Sequence, residues 1–334
     1  MMRSLCRAAG DKLPRGMVLL MMCALLSACG HNPPLEIAEH SAATTTVLAV
    51  PVPFFPQTDH QCGPAALAGV LGASGVDIDP VTLTPQVFLP GRQGSLQIEL
   101  LAATRRAGRI AYLPAGEPQA LVAELEAGRP VLVLQNLLTP RFPAWHYAVL
   151  TGFDARSNRF FLNSGKKQQL PIGAGKFLRS WDWAGRWAMV ALQPGELPAG
   201  PDPRRYAEAV AAFEIVASND AASAAWQAAL VNWPEQPLAY LGLGNLAYRG
   251  ADLDRAIGFY RRGLEANPHD PALLNNLASI LGEAGCPRMA ERLLQAFAAT
   301  RGAGSKWQAD IEVTLAELAA RAGGDDPSCG AYGI

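Results

Sequence analysis

Tyr240, Leu243, Gly244, Ala256, Tyr260 and Pro268 have counterparts 34 residues upstream (Tyr206, Ala222, Trp226, Pro234) and 34 residues downstream (Leu274, Leu277, Ala278, Ala290, Leu294). A repeat of this length constrains the fold more than any single motif does. Each unit is too short to bury its own apolar face, so neighbouring units must stack into one continuous core. Small residues at fixed offsets let paired helices approach closely, and each proline ends a helix before the next unit begins. Three units in register, 203–236, 237–270 and 271–304, predict an all-α solenoid over 203–322. A last helix at 305–320 would cap it, leaving 323–334 as a tail.

The segment 194–202, Pro-Gly-Glu-Leu-Pro-Ala-Gly-Pro-Asp, is too rich in Pro and Gly for a helix or a central strand and reads as a linker. Upstream of it the pattern is different. Apolar helical runs come first: Pro64–Ser74, a helix N-capped by Ser95 and running to Ala107, and Pro118–Ala127. Asp77-Ile78-Asp79-Pro80 reads as a loop between the first two. Strand-like runs follow at Pro130–Leu137, Tyr147–Phe153, Phe160–Leu162 and Trp187–Gln193. Helices first and strands afterwards predict an α+β domain over 50–193.

Cys62 stands just ahead of the first of those helices, in Gln57-Thr58-Asp59-His60-Gln61-Cys62-Gly63-Pro64. A thiol in a first helical turn feels the positive end of the helix dipole, which favours thiolate, the nucleophilic form. His146 opens the second strand and supplies a base, and Asn163 ends the third strand run as a residue able to orient an imidazole. Cys, His and Asn in this order meet the needs of nucleophilic acyl transfer. The bland reading is a buried structural thiol and a hydrogen-bonded histidine. A zinc site of His60, Cys62 and His146 lacks the second thiolate pair or His-x3-His spacing that would complete it. Trp145 either lines a cleft or simply packs, and 138–144, with Pro140 and Pro143, is a connecting loop or a cleft wall.

Gln57-x4-Cys62-Gly-Pro-Ala-Ala-Leu, then Gly128-Arg-Pro-Val-Leu-Val before His146-Tyr-Ala-Val-Leu-Thr-Gly-Phe-Asp, resembles the papain-like peptidases that remove double-glycine leaders from bacteriocin precursors. The resemblance covers about residues 50–193. It implies Cys62 as nucleophile, His146 as base and Gln57 as side-chain oxyanion donor, with Gln61 as the competing candidate. The family carries Asp at the third position, whereas Asn163-Ser164-Gly165 stands here. The 34-residue units are similar to tetratricopeptide repeats, which implies a concave groove for a peptide or protein partner, the alternative being a spacer or a brace against the α+β domain.

The first 29 residues read as a targeting segment: Arg3, Arg7, Lys12 and Arg15, then the apolar run 17–26. That run is short for a membrane span, which needs about 20 residues. Leu26-Ser27-Ala28-Cys29 is similar to the bacterial lipoprotein box, implying lipidation at Cys29. With Gly30 next, sorting in a Gram-negative cell would place the anchor in the outer membrane, facing the periplasm. Residues 30–49 then form a tether. Cys286 and Cys329 are left as a candidate disulfide pair.

With 28 basic and 29 acidic residues, the net charge of -1 gives no nucleic-acid footprint. The whole predicts an envelope-anchored cysteine peptidase with no metal or cofactor, its repeats recruiting substrate or partner. The alternative is an inactive scaffold in which both regions only bind peptides.

Overall fold

The computed structural model describes residues 46–48, 51–57, 60–300, 306–321 and 329–332. The targeting segment, Cys29 and most of the tether lie outside the described residues. The chain folds as a mixed α/β region followed by a helical region.

Helix α1 (Cys62–Ala73) is buried along most of its length, which its Ala/Gly/Leu composition permits without polar cost. After it, Asp79 caps α2 (Pro80–Val87) by accepting the Thr82 N–H at 2.7 Å, with Pro80 in the first turn. The sequence reading placed a loop here; Asp-Pro instead starts a helix, since proline at N1 loses no hydrogen bond. Strands β2 (Phe88–Leu89) and β3 (Gly94–Ser95) make a small ladder. Ser95 therefore ends a strand rather than capping the next helix; α3 (Gln97–Arg106) starts after Leu96 with no side-chain cap. Strand β4 (Ile110–Tyr112) and helix α4 (Pro118–Glu126) lead into the main sheet.

That sheet contains β1 (Thr46–Leu48), β4, β5 (Val131–Asn136), β6 (Trp145–Asp154), β7 (Arg159–Ser164), β8 (Lys167–Gly173) and β9 (Ala188–Leu192). Its order is β4-β9-β5-β6-β7-β8, with β1 also paired to β6, and every pair is antiparallel. Helix α5 (Ala174–Asp182) precedes β9. Alternation along β5 and β6 splits the core. Leu132, Leu134, Tyr147 and Val149 face α1, whereas Val131, Val133, Ala148 and Leu150 face α4 and α5.

From Pro203 the described residues form α6 (Pro203–Glu214), α7 (Asn219–Asn232), α8 (Pro237–Arg249), α9 (Leu253–Ala266), α10 (Pro271–Glu283), α11 (Pro287–Thr300) and α12 (Gln308–Arg321). Pro203, Pro237 and Pro271 stand 34 residues apart, each in a first helical turn. Gly242 and Gly244 lie where a β-carbon would stand 2.3 Å from the Trp226 indole and 2.2 Å from the Tyr260 ring. Tyr260 is fully buried and cannot swing away. Gly244→Ala should therefore lose about 1–3 kcal/mol through overpacking, more than the helix propensity it gains. Gly258→Ala, which meets nothing within 4 Å, should instead stabilise by up to about 1 kcal/mol. Urea unfolding midpoints of the two variants test this contrast.

Residues 194–202 contain no helix or strand, as expected, yet they are strapped down. Glu196 pairs with Arg129 at 2.9 Å, the Ala199 N–H donates to Glu124 Oε1 at 2.9 Å, and Tyr206 OH donates to the Glu196 carbonyl at 3.1 Å. One apolar core runs across this seam, from Ile110, Leu121 and Trp181 to Tyr206, Phe213 and Trp226. At the far end a Cys286–Cys329 disulfide ties the last described residues to the start of α11, and Tyr332 OH donates to Asp254.

Candidate active site

Cys62 occupies the first turn of α1. Gln61 precedes it as the N-cap residue, without a side-chain cap on the helix. The close fit behind the thiol comes from Gly63, where a β-carbon would lie 2.3 Å from Ser95 Oγ. Strand β3 is thereby drawn against the helix end. Cys62 is half-buried and is the free cysteine among the described residues. The Tyr147 phenol donates to the Ser95 carbonyl at 3.3 Å, and burial together with the neighbouring Cys62 raises its pKa well above the ordinary tyrosine value.

Gln57, His60, Cys62, Arg92, Gln93, Ser95, Trp145, His146, Tyr147, Gly165 and Lys166 line one cleft of about 860 Å³. Three sequence-predicted residues, Gln57, Cys62 and His146, thus meet at one site. Gln61 is not part of its lining. Trp145 is 56% exposed on the rim. None of residues 138–144 lines the cleft; Asn136 Oδ1 holds that loop through the Leu138 and Ala144 N–H groups at 3.2 and 3.0 Å.

His146 is half-buried, and desolvation lowers its pKa from the ordinary 6.5, favouring neutral imidazole. Its Nε2 lies 2.9 Å from Ser164 Oγ. Asn163, expected to orient it, does not reach it. Asn163 is 5% exposed and its Oδ1 accepts the Gln169 N–H at 3.0 Å. The reason is strand parity. Asn163 is registered against Val149, so it shares the face of Val149 and Tyr147, while Ser164 falls on the face of Ala148 and His146. Ser164 was the residue that the sequence reading missed, and alternation along β6 and β7 was the signal that could have found it.

Gln57 is fixed by the same turn. Its N–H donates to the Gly165 carbonyl at 3.0 Å, and its Oε1 accepts the Gly165 N–H at 3.1 Å. With the carbonyl end held, the amide NH2 is the end left for a ligand. Gly165 takes φ of +61°, a conformation open to glycine at little cost. Among the described residues, no three His, Cys, Asp or Glu side chains gather as a metal site.

A cysteine in a first helical turn, a half-buried imidazole with a lowered pKa and a held amide in one cleft suit acyl transfer. Residues 50–189 match the model of the Peptidase_C39 like family. The match spans the α/β region and stops short of the helical one. Solved structures to which the chain is similar include a C39-like peptidase from Bacillus anthracis (17% identity, 44% of this chain and 98% of that chain, TM-score 0.38). Another is a double glycine motif protease from an AMS/PCAT transporter, in complex with the leader peptide (21%, 44% and 96%, TM-score 0.33). A third is the Yersinia enterocolitica type III secretion chaperone SycD with a peptide of the translocator YopD (17%, 35% and 92%, TM-score 0.32). No curated protein matches the chain.

Proposed function

We propose that the α/β region is a cysteine peptidase. The observation that carries this is the convergence of Cys62, His146 and Gln57 on one cleft, within the region that matches the C39-like family. In the proposed reaction His146 takes the Cys62 thiol proton as sulfur attacks a peptide carbonyl. The developing oxyanion is met by the Cys62 backbone N–H and the Gln57 NH2. The proton then passes from His146 to the leaving amine, and water hydrolyses the thioester by the reverse sequence. Site-resolved alkylation of Cys62 across pH, alongside turnover of a peptide library, tests it. Cys62 should react faster than a free-thiol control at neutral pH, and His146→Ala should remove that advantage.

Among the described residues, the cleft lining includes Arg92 and Lys166 but no Asp or Glu. Substrates with acidic residues beside the scissile bond should therefore be cleaved at least several-fold faster than their basic counterparts. The preference should shrink as salt screens it. A paired acidic and basic peptide series at two ionic strengths measures this.

The 34-residue units are proposed to act as tetratricopeptide repeats that recruit the substrate or a partner protein. The chain is proposed to sit in the bacterial envelope, lipid-anchored through Cys29 in the outer membrane and facing the periplasm. The Cys286–Cys329 disulfide fits an oxidising compartment. Among the described residues, no helix is long and apolar enough to cross a membrane. Cys29→Ser should move the protein from the membrane fraction to the soluble fraction.

A further inference from the structure

We infer that Ser164 is the positioning residue of His146, and that the Ser164-Gly165 turn yokes the base to the oxyanion donor. The inference rests on the cysteine peptidase reading and assigns the third member of that site.

The turn between β7 and β8 makes two separate attachments. From Ser164 the hydroxyl oxygen meets His146 Nε2 at 2.9 Å. From Gly165 the backbone grips Gln57 at both its N–H and its side-chain carbonyl. In this assignment Nε2–H donates to Ser164 Oγ, which fixes one tautomer and leaves Nδ1 as the nitrogen to exchange a proton with Cys62. Base and oxyanion donor are therefore positioned by adjacent residues of one short turn. Asn163 is excluded from this role by its buried bond to Gln169, on the opposite face of β7.

A hydroxyl orients an imidazole while stabilising its charged form far less than a carboxylate would. Among the described residues, the titratable or charged side chains that line the cleft with His146 are His60, Cys62, Arg92, Tyr147 and Lys166, and none of these is a carboxylate. Ser164 thus suits a site in which histidine acts from its neutral form, whereas a carboxylate at this place would hold imidazolium.

The test uses the full chain. Ser164→Ala should lower kcat about tenfold to a hundredfold at nearly unchanged KM. It should also release the His146 ring to a mixture of tautomers, read by 15N shifts. Ser164→Thr, which keeps the hydroxyl, should restore most of both. Ser164→Asp should raise the His146 pKa by about one unit or more, followed by NMR titration. Asn163→Ala should leave the tautomer and the pKa at wild-type values. Recording the spectra in a Cys62→Ala background as well makes this readout independent of turnover.

Wild-type 15N shifts in Ser164→Ala would overturn the positioning role. If Cys62→Ala still abolished hydrolysis in that case, the peptidase reading would survive alone. If instead Cys62→Ala kept activity while Ser164→Ala lost it and a fluorophosphonate labelled Ser164, both readings would fall. Ser164 would then be a nucleophile.

Discussion

Cys62→Ala is expected to reduce peptide hydrolysis by about 10⁴-fold or more while shifting stability by less than about 1 kcal/mol. The side chain is half-buried at a helix end rather than deep in the core, so little packing is lost with the sulfur. His146→Ala should cost activity on a similar scale, because nucleophile and base act as a unit. The double variant should then be hardly worse than either single one.

The pH dependence of the wild type has a definite sign. Burial lowers the His146 pKa below 6.5, so the neutral, proton-accepting form persists into mildly acidic solution. The limb of kcat/KM that reports this base should have its midpoint below 6.5. The same shift bears on stability. A histidine with a depressed pKa contributes stability that is present above the unfolded-state value and is lost as pH falls through the folded one. Activity and stability should therefore decline together on the acid side, and His146→Ala should remove this group's share of the stability loss. A limb centred above 6.5 would mean that a partner stabilises the imidazolium in the free enzyme.

The cysteine helix, the histidine strand and the helical character of the region after 203 were legible because each has a strong local pattern. Apolar side chains at helical spacing, a strand of alternating burial and a recurring set of small and aromatic residues need no tertiary information. What escaped depended on pairing. Whether Asn163 or Ser164 faces His146 is decided by the register of β6 against β7, which two adjacent polar residues in a sequence do not reveal. Strand β8, Lys-Gln-Gln-Leu-Pro-Ile-Gly, is a polar edge strand. Its Pro171 is tolerated there because an edge has a side that needs no ladder donors, and such a strand leaves no apolar signature. Strand β4 is three residues long and exists through its pairing with β9. The segment 194–202 read correctly as neither helix nor strand, but its composition says nothing about what grips it.

That grip gives the second large expected effect. Glu124 is 1% exposed and takes part in two contacts at the seam: Arg129 Nε at 2.6 Å and the Ala199 N–H at 2.9 Å. Arg129 reaches on to Glu196, so one buried carboxylate holds α4, the strap and the start of the helical region together. Glu124→Ala leaves the guanidinium with half its anionic partners and the Ala199 amide with no acceptor. Breaking a buried pair by removing one member costs about 3–5 kcal/mol, and the half-exposed Glu196 recovers only part of that. Glu124→Gln should be milder, because the amide keeps an acceptor oxygen for Ala199. It also loses a charge whose burial is costly, since desolvation is the main reason the Glu124 pKa is raised. For a carboxylate so shifted, the stability contribution is greatest at low pH and is lost as pH rises through the folded value. The gap between wild type and Glu124→Gln should therefore change between pH 4 and pH 7, whereas Glu124→Ala should stay destabilised throughout. Since one apolar core crosses the seam, the wild type should unfold both regions in a single calorimetric transition. Glu124→Ala should broaden or split that transition. Two well-separated transitions in the wild type would instead mean that the strap merely tethers two independent units.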